Sequence, residues 1–231
     1  MRKVVLESFS AFVNETEVFD LVATLVLFRG QAIEGGLLPG IARINPRTDT
    51  TAQEKEALAQ LKLMGASFPD LNQPTQLDLL VVAQHSGLRT RLLDWTSNPL
   101  AALWFACADL RDGDTYVYAL AADKLQKTGL YEVKDPFSVP VTRAFQPRLN
   151  NPRILAQHGW FTLHRYAPGP GAFVPLDVNP KTRGELTEIR IPAQNRADIL
   201  RSLDRYGISR RTLFPDVEGL CRFLNWKFDL N

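Results

Sequence analysis

The stretch from Gln84 to Ala106 constrains the fold more than any other part of the chain, because it places polar and charged side chains directly between segments that must be buried. Its last seven residues, from Leu100 onward, are apolar on every side, so as a helix they must lie at the centre of the molecule. Polar groups beside such a core cost roughly 1–3 kcal/mol each unless they are hydrogen-bonded. The stretch therefore predicts either a binding site or an internal polar network.

A strand followed by a capped helix is predicted within this stretch. Residues 90–96 alternate as a strand, which puts Asp94 and Thr96 on one face. Asn98 predicts the N-cap of a helix over 98–110, with a proline at its first helical position. Thr96 and Ser97 then lie at the positive end of a buried helix, where free backbone N–H groups favour an anion or a polar ligand.

A second helix is predicted over residues 74–85, with Pro74 in its first turn. Helical spacing puts Gln84 and His85 on the buried face of its last turn. Two polar residues in that position are typical of a functional site. The alternative is a polar pair that is satisfied internally and ties the helix end to a neighbouring strand.

The rest of the chain predicts an α+β protein of one domain, residues 1–231, with a mixed or antiparallel sheet flanked by helices. An apolar strand over 21–28 ends in Arg29, beside Gly30, and so aims a charge into a cleft. Helix 51–64 has the capping-box spacing of Thr51 and Glu54. Further helices are expected at 8–20 and 195–205, a helical turn at 154–159, and strands at 115–120, 160–163 and 186–192.

Positive charge is concentrated in the second half of a chain whose net charge is only +2. Residues 139–175 contain four arginines and no acid, and residues 181–211 are also rich in Lys and Arg. Such stretches suit phosphate-bearing ligands. The alternative is that these are solvated arginines balanced by acids elsewhere in the fold.

The cysteines and the apolar runs restrict the class of protein. Cys107 and Cys221 are isolated in apolar segments, which predicts two buried free thiols rather than a disulfide framework. No CxxC or HExxH motif is present, so no metal site is predicted. No apolar run approaches the ~18 residues of a membrane span. We therefore expect a cytoplasmic protein that does not bind a membrane.

Four blocks of the sequence resemble the FRG domain family, which is named for its Phe-Arg-Gly motif. They are Phe28-Arg29-Gly30-Gln31, the Gln84–Ala106 stretch, and residues 151–161 and 213–220. Together they indicate a motif-bearing core over about residues 21–220. The family is largely prokaryotic, and its molecular function is not established. Arg89 is a departure, since the family has proline in this part of the block.

The order of polar residues also resembles the layout of ADP-ribosyltransferases, which suggests NAD as a substrate in bacterial defence or toxin biology. In that layout Arg29 would hold the diphosphate by charge-assisted hydrogen bonds, and Thr96 or Ser97 would orient the nicotinamide ribose. Glu188, or else Gln157, would face the acceptor, a nucleic acid or a protein. The predicted catalytic residues are His85, Gln157 and Glu188. The predicted ligand-binding residues are Arg29, Gly30, Gln31, Gln84, Arg91, Asp94, Thr96 and Ser97.

Two other readings compete with this enzyme hypothesis. In the first, the chain is a non-catalytic module that binds a nucleotide or a nucleic acid through its basic stretches, with an affinity that falls steeply with salt. In the second, the central cluster is structural: Arg91 pairs with Asp94, and Gln84 and His85 are satisfied internally.

Overall fold

The computed structural model describes residues 1–19, 21–71, 74–109, 111–126, 129–148 and 151–230. Its strands are β1 (Arg2–Val5), β2 (Val26–Gln31), β3 (Leu92–Thr96), β4 (Thr115–Ala121), β5 (Arg143–Phe145), β6 (Gly159–Leu163), β7 (Tyr166–Ala167), β8 (Ala172–Phe173) and β9 (Leu186–Ile191). Its α-helices are α1 (Phe9–Phe19), α2 (Thr51–Met64), α3 (Gln76–His85), α4 (Pro99–Cys107), α5 (Pro152–Ala156), α6 (Arg196–Arg205), α7 (Arg210–Leu213) and α8 (Val217–Lys227). The ends predicted for two helices, at residues 20 and 110, lie outside the described residues.

Seven of the described strands form one mixed sheet in the order β1-β9-β4-β2-β3-β6-β5, and β7 pairs with β8 separately. The pairing of β1 with β9 is parallel, and the other neighbours in the large sheet are antiparallel. Helices α1, α4 and α6 contribute to a core cluster with residues of β2, β4 and β9. The predicted α+β class, with a mixed sheet flanked by helices, is confirmed.

Helix α4 lies at the centre of this packing, as its apolar sequence predicts. Ala101, Ala102 and Leu103 are completely buried. Asn98 caps the helix as expected, because its Oδ1 accepts hydrogen bonds from the Leu100 and Ala101 amides at 2.9 and 3.3 Å. Burying all sides of a helix requires a neighbour on each side, and β2 is the neighbour that sets the geometry of the site.

Gly30 on β2 allows α4 to approach the sheet closely. A Cβ at this position would overlap the carbonyl oxygen of Ala102 and would lie 2.5 Å from the amide nitrogen of Ala106. The sequence suggested that this glycine is needed for its backbone freedom. The fold does not use that freedom, because Gly30 has no positive φ. The glycine is needed because it has no side chain.

Alternating residues of the central strands face two different clusters. Leu92 of β3 packs with α2 and α3 in one cluster, whereas Leu93 and Trp95 belong to a cluster with Tyr118 of β4. The alternation predicted for 90–96 is therefore confirmed, although β3 begins at Leu92. Asp94 and Thr96 share the face of Leu92.

The strand predicted over 21–28 was placed too early in the chain. Leu21 is 85% exposed, and β2 begins only at Val26. The carboxylate of Asp123 accepts hydrogen bonds from the Thr24 and Leu25 amides at 3.2 and 3.1 Å, which satisfies these backbone groups outside the sheet. Consequently Arg29 lies within β2 rather than after its end.

The caps of two helices also differ from their predictions. In α2, Thr50 is the N-cap and makes no side-chain cap hydrogen bond, and Glu54 is used elsewhere. In α3, Thr75 and Asp78 form the capping box, so that Pro74 precedes the cap. The bounds of α2, Thr51–Met64, are confirmed. Of the two cysteines, Cys107 is buried as expected, but Cys221 is exposed.

Candidate functional site

A cavity of about 360 Å³ opens where β2 and β3 separate. Phe28 lies opposite Thr96, and this is the one register pair between the two strands in the described residues. Beyond it, β2 continues beside β4 while β3 continues beside β6. The gap between diverging strands exposes backbone groups and side chains that would otherwise be buried in a continuous sheet, and its volume is that of a small-molecule site.

The lining of this cavity, which we call the Arg29 pocket, combines cations, amides, a carboxylate and aromatic rings. It consists of Phe28, Arg29, Gly30, Gln84, His85, Asp94, Trp95, Thr96, Phe105, Arg153, Gln157 and Phe214. The structure thus brings together seven of the residues that the sequence nominates: Arg29, Gly30, Gln84, His85, Asp94, Thr96 and Gln157.

Arg29 is held by one edge of its guanidinium group. Its Nη1 donates to the Asp94 carbonyl oxygen at 2.8 Å, and its Nε donates to Gln31 Oε1 at 3.2 Å. The carboxylate of Asp94 is 3.9 Å from Nη1, and Nη2 has no hydrogen-bond acceptor among the described residues. Burial lowers the pKa of Arg29 to about 10, so the group remains a cation at neutral pH.

Gln31 does not line the pocket, but it orients Arg29. Its amide nitrogen donates to the carbonyl oxygens of Ile33 and Gly35 at 2.9 and 2.7 Å. These two bonds direct the amide oxygen of Gln31 toward Arg29 Nε. Gln31 is therefore a positioning residue for the guanidinium group.

Gln84 connects the end of α3 to the carboxylate in the pocket. Its Nε2 donates to Asp94 Oδ2 at 3.0 Å, and its Oε1 accepts from the Thr90 hydroxyl at 2.8 Å. The Asp94 side chain is nevertheless 55% exposed. A carboxylate with a fixed orientation and open access to solvent can stabilise positive charge on a bound ligand.

His85 contributes a polar atom that the described part of the protein leaves unpaired. Its Nε2 is buried and has no hydrogen-bond partner among the described residues. Burial, and to a smaller extent the charge of Arg153, lowers the pKa of His85, so the imidazole is neutral at neutral pH. A buried nitrogen without a partner is expensive, and a ligand hydrogen bond would remove that cost.

Thr96 and Gln157 are engaged in bonds that hold the wall of the pocket together. The Thr96 hydroxyl donates to the Gln157 carbonyl oxygen at 2.6 Å and accepts from the Asn98 amide at 2.9 Å. Gln157 Nε2 donates to the Leu213 carbonyl oxygen at 3.0 Å. These bonds join β3, α5 and α7 around one end of the cavity.

Besides Gln31, three residues that were predicted from the sequence lie outside the pocket. Glu188 is buried on β9, where its carboxylate accepts from the Tyr118 hydroxyl and from Lys3, each at 2.9 Å. Arg91 is buried against Glu54, which contradicts the alternative in which it pairs with Asp94. Ser97 is exposed and does not line the cavity.

Arg153, Phe105 and Phe214 are pocket residues that reasoning from the sequence missed. Arg153 pairs with Asp216 at 2.5 Å and lies 5.5 Å from the centroid of the Phe214 ring. Phe105 and Phe214 meet edge to face, with centroids 6.0 Å apart. The sequence did contain an indication for all three, because Phe105, Arg153 and Phe214 belong to blocks that carry the family resemblance.

Two features are absent from the described residues: a side-chain cluster able to hold a metal ion and a helix able to span a membrane. No group of three or more His, Cys, Asp or Glu side chains is arranged to hold a metal ion there. Within the same ranges, no helix combines the length and the apolar character that crossing a bilayer requires.

Comparisons with known proteins identify one family. The model of the FRG domain family matches residues 24–115, a range that includes β2, α2, α3, β3 and α4. No curated protein and no solved structure is matched by the chain. The matched range contains Arg29, Gln84, His85 and Asp94, whereas Arg153 and Phe214 lie beyond it. Residues 24–115 therefore match the FRG domain family, and these matched residues supply most of the wall of the Arg29 pocket.

Proposed function

We propose that the Arg29 pocket binds a nucleotide, and that NAD is its ligand. The observation that carries this proposal is that Arg29, whose Nη2 has no acceptor among the described residues, lines the cavity together with His85, whose buried Nε2 is unpaired there. A cation beside a desolvated hydrogen-bonding nitrogen suits a phosphate that is attached to polar ribose hydroxyls.

The remaining walls suit the two ends of such a ligand. Arg153 adds a second guanidinium group, although Asp216 offsets part of its charge. Phe105 and Phe214 provide an apolar surface for a base or a nicotinamide ring. In this arrangement the phosphates lie near the arginines, and one ring packs against the aromatic wall.

Cleavage of NAD is a second candidate function, and the position of Asp94 favours it. Of the described residues that line the pocket, Asp94 is the carboxylate, and Gln84 fixes its orientation. In the reaction the bond between ribose C1′ and the nicotinamide nitrogen breaks, and nicotinamide leaves with the bonding electron pair. Water adds to C1′ and releases a proton, or an acceptor nucleophile takes its place in ADP-ribosyl transfer. Asp94 would stabilise the oxocarbenium-like charge that develops on the ribose as nicotinamide leaves.

A non-catalytic nucleotide- or nucleic-acid-binding module remains the alternative. Under that reading the pocket binds its ligand without breaking a bond, and a nucleic acid or protein acceptor is not needed. Salt dependence separates the two kinds of module, since binding to a nucleic acid through several phosphates weakens steeply as salt rises.

Isothermal titration calorimetry with NAD, ATP and a short RNA tests the binding proposal. We expect NAD to bind the wild type, Arg29→Met to weaken binding by at least about tenfold, and the distant variant Arg201→Ala to match the wild type. Arg201 is a matched control because it is an exposed arginine paired with Asp198. Equal NAD affinity in all three proteins would overturn the proposal.

An assay that measures the release of nicotinamide by chromatography tests the second candidate function. Asp94→Asn keeps the shape of the side chain and removes its charge. We expect this variant to bind NAD and to lose release of nicotinamide. If the wild type binds NAD but releases none, the pocket is a binding site only.

A further inference from the structure

The arginines between residues 139 and 175 divide into two groups in the structure. Arg148 pairs with Asp78 at 3.0 Å and Arg153 pairs with Asp216 at 2.5 Å. Arg143 and Arg165, by contrast, have no carboxylate at ion-pair distance within the described ranges. The two arginines without an acidic partner border one common cavity.

This cavity, which we call the Arg143 pocket, measures about 480 Å³ and has no lining residue in common with the Arg29 pocket. Lys124 and Lys181 also border it, together with apolar residues such as Val141 and Val174. No Asp or Glu is among the described residues of its lining. Four cationic side chains around one concave, partly apolar space produce a positive potential that water screens incompletely.

Arg143 is the group in this pocket that most clearly lacks a partner. Its Nε is buried and makes no hydrogen bond to any described residue. The neighbouring cations do have partners. Arg165 donates through Nη1 to the Pro140 carbonyl oxygen, and Lys124 Nζ is 2.6 Å from Glu185 Oε1. A buried guanidinium N–H without an acceptor is destabilising, and an anion bound beside Arg143 would offset part of that cost through its charge.

We infer that the Arg143 pocket is a second ligand site, which binds a phosphoryl group independently of the Arg29 pocket. Arg143 and Arg165 carry the planar forks that match phosphate oxygens, and Lys181 adds a point charge at the rim. The divalent charge of a phosphoryl group matches several cations better than a carboxylate does. The group can belong to free pyrophosphate or to the terminal phosphate of a nucleotide.

Titration calorimetry of the full chain with inorganic pyrophosphate tests this inference. We expect saturable binding, weakened at least about tenfold in Arg143→Gln and in Lys181→Gln. Lys181 is exposed, so Lys181→Gln keeps the test valid if Arg143→Gln folds poorly. Arg201→Gln is the control for loss of one surface charge and should bind like the wild type.

Two results would overturn the inference: no saturable binding of pyrophosphate, or an affinity that none of the pocket variants changes more than Arg201→Gln does. Repeating the titration with ADP in the Arg29→Met background identifies the source of the phosphoryl group. Binding of ADP that survives Arg29→Met and is lost on adding Lys181→Gln assigns a nucleotide to this pocket. Binding of pyrophosphate without ADP assigns the free anion. Because Arg29→Met leaves the Arg143 pocket intact, failure of the NAD proposal is distinguishable from failure of this one.

Discussion

Arg91 and Glu54, which are 37 positions apart in the sequence, form a buried ion pair with an Nε–Oε2 distance of 2.8 Å. Their side chains are 1% and 0% exposed. Glu54 Oε1 also accepts from the Arg91 amide at 2.7 Å, and Arg91 Nη2 donates to the Thr51 hydroxyl at 3.0 Å. The pair therefore joins α2 to the residue that immediately precedes β3.

Removing one partner of this pair should strongly destabilise the protein. We expect Glu54→Gln or Arg91→Met to lower the free energy of unfolding by about 3–5 kcal/mol, because the remaining charge stays buried. Urea denaturation measures this loss. The double variant Glu54→Leu/Arg91→Met should recover part of the stability, and a double variant less stable than both single variants would contradict the account.

Asp94→Asn should change stability very little, in contrast to Glu54→Gln. The Asp94 side chain is half exposed, and its distance to Arg29 is 3.9 Å. We expect a loss of less than about 1 kcal/mol, as for other exposed ion pairs. The same urea titration measures this loss. If Asp94→Asn unfolds, the central cluster has a structural role instead.

Gly30→Ala should disrupt the contact between α4 and β2. The added methyl group would overlap the Ala102 carbonyl oxygen, and neither backbone can move without disturbing the core. We expect Gly30→Ala to lower the free energy of unfolding by about 1–3 kcal/mol, measured by urea denaturation. Gly184→Ala is the control, since a Cβ there has no neighbour within 4 Å and Gly184 has no positive φ. Equal stabilities of the two variants would refute the packing role of Gly30.

His164 should make stability depend on pH below neutrality. Burial, with the charges of Arg29 and Arg91, lowers the pKa of His164 to about 3, and its Nε2 lies 2.9 Å from the Thr162 hydroxyl. In the unfolded chain the imidazole of His164 binds a proton near pH 6.5, whereas in the folded protein it stays neutral down to about pH 3. The contribution of His164 to the free energy of unfolding is therefore fully present above pH 6.5 and is lost as the pH falls toward 3.

The size of this effect follows from the interval in which only the unfolded state is protonated. Between pH 7 and pH 5 we expect His164 to remove about 2 kcal/mol of the free energy of unfolding. Urea titrations of the wild type and of His164→Gln at both pH values isolate the contribution of His164. Any contribution of His85 cancels, because His85 is present in both proteins. Identical pH dependence in the two proteins would rule out a neutral, buried His164.

The two cysteines should react with thiol reagents at very different rates. Cys221 is exposed, whereas burial raises the pKa of the Cys107 thiol to about 12. Titration with a chromogenic disulfide reagent should count one thiol in the native protein and two after denaturation. Rapid reaction of both thiols in the native state would contradict the burial of Cys107.

Local patterns were sufficient to predict α3, β3 and α4, three of the elements around the site. The apolar run after Asn98-Pro99 can only be a buried helix, and the alternation ending at Thr96 can only place Asp94 on the same face as that residue. The nomination of Gln84 also followed from helical spacing within α3. These inferences depend on repeats of two or 3.6 residues, which the order of residues contains directly.

Pairings between distant residues could not be predicted in this way. The partner of Arg91 is Glu54 rather than Asp94, and Glu188 bonds to Tyr118 in a separate network. Several acids could pair equally well with a given arginine on the evidence of sequence alone, and the tertiary arrangement of helices and strands selects among them.

The sequence by itself determined the class of fold, the central position of α4, the face of β3 that carries Asp94 and the resemblance to the FRG domain family. Only the tertiary structure decided that β2 and β3 diverge after Phe28 and Thr96, that Arg153 and Phe214 close the resulting pocket, and that Arg143 and Arg165 share a second one. The physical reason is range: propensity, capping and periodicity act within a few residues, whereas charge pairing and cavities depend on which segments the packed core brings together.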